Sequence, residues 1–273
     1  MPLFSILSVC QKLAFSSLLL FAGYTGMASA PTEVTNNDPT KPGTASSSPA
    51  NATVKGIDVS RWQKDINWEL VKEEEIAFSF IKATEGDFRQ DPYFTRNWSE
   101  SKRNGIRRGA YHFFKPLAPV QCQIELFTNS VVLEPGDLPP VLDVEVSDPE
   151  VSPTQLRESI NTWLEAVTAH YGVKPIIYTS QNYYRRYLQG HFKGYHFWIA
   201  RYSPIQPEVH HTDSWMFWQH TDKGRITGIK TAVDMNFFLG DVETLSQLCI
   251  PDLVASEDHT SPLKQLKHMY PLP

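Results

Sequence analysis

From Val54 onward, short runs with strand-like composition alternate with stretches of helical character, and this alternation constrains the fold more than any other feature. The strand-like runs cover 54–60, 77–84, 108–114, 138–145, 175–180, 196–201, 215–219 and 232–238. Helices are expected over 68–75, 93–104, 120–132, 153–171 and 183–188. The longest opens with Ser152-Pro153, an N-cap followed by proline at a position where its missing N–H costs nothing. Strands separated mostly by helices point to a closed α/β barrel. The connections at 202–214 and 223–231 are too short and polar for full helices, so the second half should be irregular.

The ends of these runs carry polar residues that a core does not need. Active sites of α/β barrels gather at the carboxyl ends of the strands. Here those ends supply Asp58, Glu85, His112, Asp143 with Glu145, Tyr178, Arg201, Gln219 and Asp234. Asp143 and Glu145 close the apolar run Leu138-Pro139-Pro140-Val141-Leu142, two residues apart and therefore on one strand face, with Cα atoms about 6.6–6.8 Å apart. Two carboxyls that close do not both ionise freely, so one holds its proton to a higher pH. A proton donor beside an anion suits glycosidic bond cleavage; a structural pair held by Arg or Lys is the plainer reading. Trp62, Tyr111, Phe113, Tyr178, Trp198 and Trp218 accompany the acids. Aromatic faces suit the C–H faces of sugar rings, although many of these side chains would simply fill a barrel.

The 273 residues, 41% hydrophobic, suffice for one large core, and the net charge of −5 with no basic block argues against a nucleic-acid partner. Lys12, the apolar stretch 13–24 and Ala28-Ser29-Ala30 resemble an export signal over 1–30, too short to span a bilayer, with an uncleaved anchor as the alternative. An exported protein, periplasmic or secreted, with no stable membrane insertion after cleavage, is expected. Residues 31–53 are rich in Pro, Thr, Ser and Asn and read as a flexible linker; 54–250 form the barrel, and 251–273 a C-terminal tail. Cys122 and Cys249 remain after the signal, either as one disulfide or as two buried thiols.

The chain resembles the glycoside hydrolase family 25 lysozymes, the Chalaropsis-type muramidases, in a series of segments that run in order. These are Gly56-Ile57-Asp58-Val59-Ser60 with Trp62-Gln63 and Ile66-Asn67-Trp68, then Phe80-Ile81-Lys82-Ala83-Thr84-Glu85-Gly86. Asp91-Pro92-Tyr93-Phe94 with Asn97, Gly109-Ala110-Tyr111-His112-Phe113-Phe114 and Gly136-Asp137-Leu138 through Glu145 follow. Phe217-Trp218-Gln219 and Val233-Asp234-Met235-Asn236 complete the series, which spans 54–248. The resemblance implies an irregular eight-stranded (β/α) TIM-like barrel with fewer than eight helices. It also implies hydrolysis of the β-1,4 bond between N-acetylmuramic acid and N-acetylglucosamine in peptidoglycan. By the same resemblance Glu145 is the proton donor, Asp143 its companion carboxylate, and Asp58 and Asp234 further acids of the cleft.

Glu145 must be protonated to act, and anionic Asp143 and Asp58 are expected to raise its pKa. Asp143 could attack the anomeric carbon, activate water or orient the substrate's N-acetyl oxygen. Trp62, Glu85, Tyr111, Tyr178, Trp198 and Trp218 are the expected substrate-binding residues. No cofactor or metal is expected: His112, His210, His211 and His220 lack zinc-ligand spacing, and no Gly-x-Ser-x-Gly elbow occurs. His210-His211 reads as a solvated pair and His112 as a hydrogen-bonded strand-end residue. The protein is expected to act as a monomer on glycan strands; the alternative from another class is a non-catalytic glycan-binding barrel.

Overall fold

The computed structural model describes residues 53–251. The nine strands among them are β1 (Thr53–Val59), β2 (Phe78–Glu85), β3 (Arg89–Gln90), β4 (Arg107–Phe113), β5 (Val141–Asp143), β6 (Ile176–Ser180), β7 (His196–Ala200), β8 (Ser214–Gly224) and β9 (Val233–Leu239). Their order is β1-β9-β8-β7-β6-β5-β4-β2-β3, and parallel pairing of β1 with β2 closes eight of them into a barrel. β3 is a two-residue antiparallel extension of β2. The helices are α1 (Trp68–Glu73), α2 (Phe94–Arg103), α3 (Val120–Ser130), α4 (Pro153–Tyr171), α5 (Gln181–Tyr183) and α6 (Val242–Leu248). A π-helical turn, Tyr184–Leu188, continues α5.

The barrel is filled by Phe78, Phe80, Trp198, Phe217 and Phe238, all buried. Phe80 stacks on Trp198 with ring centroids 4.5 Å apart, and Phe78 meets Phe217 edge-on at 5.2 Å. Two glycines make room for these rings. A Cβ on Gly56 would lie 2.3 Å from the Phe78 ring, and one on Gly109 would lie 2.6 Å from Phe80. The outer layer packs Val71, Phe94, Phe127, Ile160, Trp163 and Val167 of the helices against the outward strand residues Ile57, Ile81, Ala110, Leu142 and Ile177. α4 begins as its sequence requires: Ser152 Oγ accepts from Gln155 N, the Gln155 side chain accepts from Ser152 N, and Pro153 follows the cap.

The irregularity of the second half has a definite form. No helix separates β7 from β8 or β8 from β9, and β9 runs antiparallel to both β8 and β1. Asp234 therefore lies at the amino end of its strand, not at a carboxyl end as expected, and reaches the mouth because β9 is reversed. β5 is shorter than the run 138–145, since Pro139 and Pro140 cannot donate to a ladder. α6, which the sequence reading missed, is capped by Asp241 and carries Leu245 and Cys249 into the cluster that fills the barrel.

Cys249 is a free thiol whose Sγ lies 3.3 Å from the Leu245 carbonyl, so the Cys122–Cys249 bridge is absent. The expected signal, linker and tail lie outside the described residues apart from Thr53, which begins β1, and Pro251.

Candidate active site

The mouth of the barrel encloses a cavity of about 280 Å³ lined chiefly by polar side chains. Asp58 is the last residue but one of β1, Asp143 ends β5, Glu145 follows two residues later, and Asp234 enters from β9. All four acids line this one cavity, together with Lys82, Tyr111, Tyr178, Tyr202 and Gln219. Register explains the meeting: in parallel pairing Asp143 stands beside Phe113 of β4 and Tyr178 of β6, and in antiparallel pairing Asp58 stands beside Asp234.

Asp58 is the most elaborately held. Its Oδ2 accepts from Gln219 Nε2 at 2.9 Å and from Asn236 Nδ2 at 2.8 Å. Both amides are themselves oriented: Tyr178 and Tyr202 hydroxyls each donate to Gln219 Oε1 at 2.9 Å, and the Trp198 indole donates to Asn236 Oδ1 at 2.7 Å. Burial and the charge of Asp234 nevertheless raise the Asp58 carboxyl well above the ordinary range, against the lowering by the two amides. Burial and the neighbouring Asp222 push Asp234 up to about 6.

Burial acts on both members of the strand-end pair. Burial, followed by the charge of Glu145, raises Asp143 well above the usual carboxylate range, and Asp143 Oδ1 has no hydrogen-bond partner among the described residues. Glu145 meets solvent at the mouth, yet loss of surrounding water raises its carboxyl too, while Lys82 and Lys115 pull it back. Desolvation is the first force on Glu145.

Lys82, absent from the expected site, is its cation. Its Nζ donates to Glu85 Oε2 at 2.7 Å and sits 4.6 Å from the Phe113 ring centroid; Lys115 lies 4.6 Å from the same ring. Glu85 does not line the cavity; it gathers Lys82, Arg89 and Lys115. Burial opposes its ionisation, but those cations prevail and hold its carboxyl below the usual value. A lone lysine ending Phe78-Ser79-Phe80-Ile81 was the available signal.

The expected aromatics divide. Trp62 is 68% exposed on a 3-10 turn, with the Arg61 guanidinium 4.9 Å above its ring, and Tyr111 and Tyr178 line the cavity wall. Trp198 is only 2% exposed and touches the cavity from beneath, as a floor. Trp218 lies outside the cavity, packed against His220 and Phe237 with its indole donating to Arg201 O. Arg201 turns to Glu208 at 3.1 Å. Tyr202, from a loop the sequence reading left unassigned, joins the wall instead. His112 faces the helices, bonded to Thr84 and Gln123, and burial lowers its pKa to about 4.

Comparison with known proteins places this geometry in a family. Residues 57–229 match the model for glycosyl hydrolases family 25. The chain is 44% identical over 202 residues to YegX, an uncharacterised protein of Escherichia coli strain K12, covering 72% of this chain and 74% of that one. It is 35% identical over 213 residues to lysozyme M1 of Streptomyces globisporus, covering 71% of each. The crystal structure of a bacterial lysozyme from Streptomyces coelicolor aligns with a TM-score of 0.69 at 33% identity, over 72% of this chain and 97% of that one.

Proposed function

The chain belongs to glycosyl hydrolase family 25, and we propose that it is an N-acetylmuramidase that cleaves the β-1,4 bond between N-acetylmuramic acid and N-acetylglucosamine in peptidoglycan. The observation that carries this reading is the convergence of Glu145, Asp143, Asp58 and Asp234 on one cavity. Glu145, protonated, gives its proton to the glycosidic oxygen as the anomeric C–O bond breaks. Asp143, anionic, attacks the anomeric carbon or orients the group that does, and water completes the hydrolysis. The companion pair Asp58 and Asp234 shapes the electrostatics of the mouth. Trp62 offers the exposed ring face for a sugar, and Tyr111 and Tyr178 the walls; Trp198 acts from below through Asn236.

The substrate lies outside the cytoplasmic membrane, which agrees with reading 1–30 as an export signal and with a periplasmic or secreted enzyme. Mass spectrometry of fragments released from defined peptidoglycan tests the activity. Fragments ending in reducing muramic acid are expected; release of free peptide stems with intact glycan would point to an amidase, and binding without release to a glycan-binding barrel.

A further inference from the structure

Beside the catalytic mouth lies a second and larger cavity, of about 620 Å³. Its walls come from the segments after three successive barrel strands: Pro116 after β4, Ser147 to Pro149 and Val151 to Pro153 after β5, and Arg186 with Tyr187 after β6. Ser147 is two residues beyond Glu145, so the wall begins within about 7 Å of chain from the proton donor. The parts are braced together. The Tyr183 hydroxyl donates to Val146 O at 2.8 Å, joining the Glu145 loop to α5, and Arg157 donates to Tyr187 O at 3.3 Å.

The walls combine apolar surface, one acid, Asp148, whose Oδ1 accepts from Glu150 N at 2.9 Å, and one cation. Pro116, Pro149, Val151, Leu156 and Tyr187 present apolar surface. Arg186 is exposed, lies 5.1 Å from the Tyr187 ring centroid, and makes no ion pair among the described residues, whereas its neighbour Arg185 is bound to Glu208 at 2.6 Å. Arg186 and Tyr187 sit on the π-helical turn, closed by Gln189 N donating to Tyr184 O at 2.9 Å. Such turns cost stability relative to α-helix and recur at functional sites.

We propose that this cavity binds the peptide stem of peptidoglycan, the short chain of small apolar, acidic and diamino residues attached to the lactyl group of muramic acid. The proposal rests on the muramidase reading. The stem leaves the muramic ring two carbons from the anomeric centre, so when Glu145 addresses that bond the stem must pass a wall of the mouth. The cavity adjoining the Glu145 loop offers alkyl surface for the stem's alanines and an unpaired guanidinium for its carboxylates. Glycan recognition and stem recognition then share one braced segment, 144–153.

The test compares two glycan strands of equal length, one bearing stems and one stripped of them by an amidase, in wild type and in Arg186→Glu. The readout is the ratio of kcat/KM for the two strands. Wild type should favour the stem-bearing strand, and the variant should lose about tenfold of that ratio, the scale of one charge-assisted hydrogen bond. A fault in folding would lower both rates and leave the ratio alone. In parallel, the synthetic stem tetrapeptide is titrated into full-length Glu145→Gln protein by calorimetry, with and without Arg186→Glu. Saturable binding that the charge reversal abolishes supports the cavity assignment, even if wild type cuts neither strand and the muramidase reading falls. An unchanged ratio in a protein that cuts both strands, or no peptide binding, overturns the proposal.

Discussion

Asp58 and Asp234 stand directly opposite each other in the antiparallel β1–β9 ladder, close enough that the charge of Asp234 adds to burial in raising the Asp58 carboxyl. Two carboxyls that close do not both ionise freely, so one member holds its proton to a higher pH. The amides of Gln219 and Asn236 fix Oδ2 of buried Asp58, and Asp234 is the side of the pair closer to solvent.

That arrangement makes stability depend on pH in a defined direction. Burial and Asp222 raise Asp234 from 3.8 to about 6, so the native state binds its proton more tightly than the unfolded chain. The associated stability is present in full below about pH 4 and is lost as pH rises through about 6. Asp234→Asn, whose amide can donate to Asp58, should therefore unfold at higher urea than wild type at pH 8, by about 1–3 kcal/mol. The difference should close near pH 4. A variant no more stable than wild type at pH 8 would refute this account of the pair.

Glu145→Gln keeps the shape of the side chain and removes only its proton, so kcat on soluble peptidoglycan fragments should drop about 10²–10⁴-fold with glycan binding retained. Asp143→Asn should also be severe, through loss of the anion beside the anomeric carbon. Should Asp143→Asn act like wild type while Asp58→Asn abolishes turnover, the two acids exchange roles.

Much of this site could be read before the fold was known, because apolar runs that end in Asp58 or in Asp143-Val144-Glu145 are hard to explain as core. The direction of a strand is not written in its period of two, and so the reversed β9 that delivers Asp234 was invisible. Trp218 sits one residue out of phase with the inward Gln219 and faces away from the mouth, a parity the sequence did contain. Glu85 escaped the same reasoning because β2 shifts register between Lys82 and Thr84, which breaks the alternation. Tyr202 lies on a loop, where no periodicity points anywhere.

Cys249 should be alkylated when the protein is unfolded without reductant and mapped by peptide mass, because its thiol is free in the fold. Finding Cys249 joined to Cys122 in such a map would contradict the structure. Cys249→Ala should cost about 1 kcal/mol, the scale for a small apolar group buried under the barrel.

The last prediction concerns the cation of the mouth. The proposed mechanism needs Asp143 ionised and Glu145 protonated, so rate against pH should be bell-shaped, rising as Asp143 loses its proton and falling as Glu145 loses its own. Lys82 lowers both carboxyls, opposing the burial that raises them. Lys82→Gln, which can still hydrogen-bond to Glu85, removes that opposition, and both limbs should move to higher pH. Lys115→Gln should move the falling limb in the same direction but less, because Lys115 is 43% exposed and more fully screened by solvent. Asp234→Asn should do the reverse, since removing a negative charge that interacts with Glu145 makes the donor easier to ionise. Profiles from about pH 3 to 9 at fixed ionic strength separate these signs, as screening would otherwise vary with buffer. Limbs that stay in place in Lys82→Gln would mean that the lysine only anchors Glu85, and that desolvation alone sets the donor.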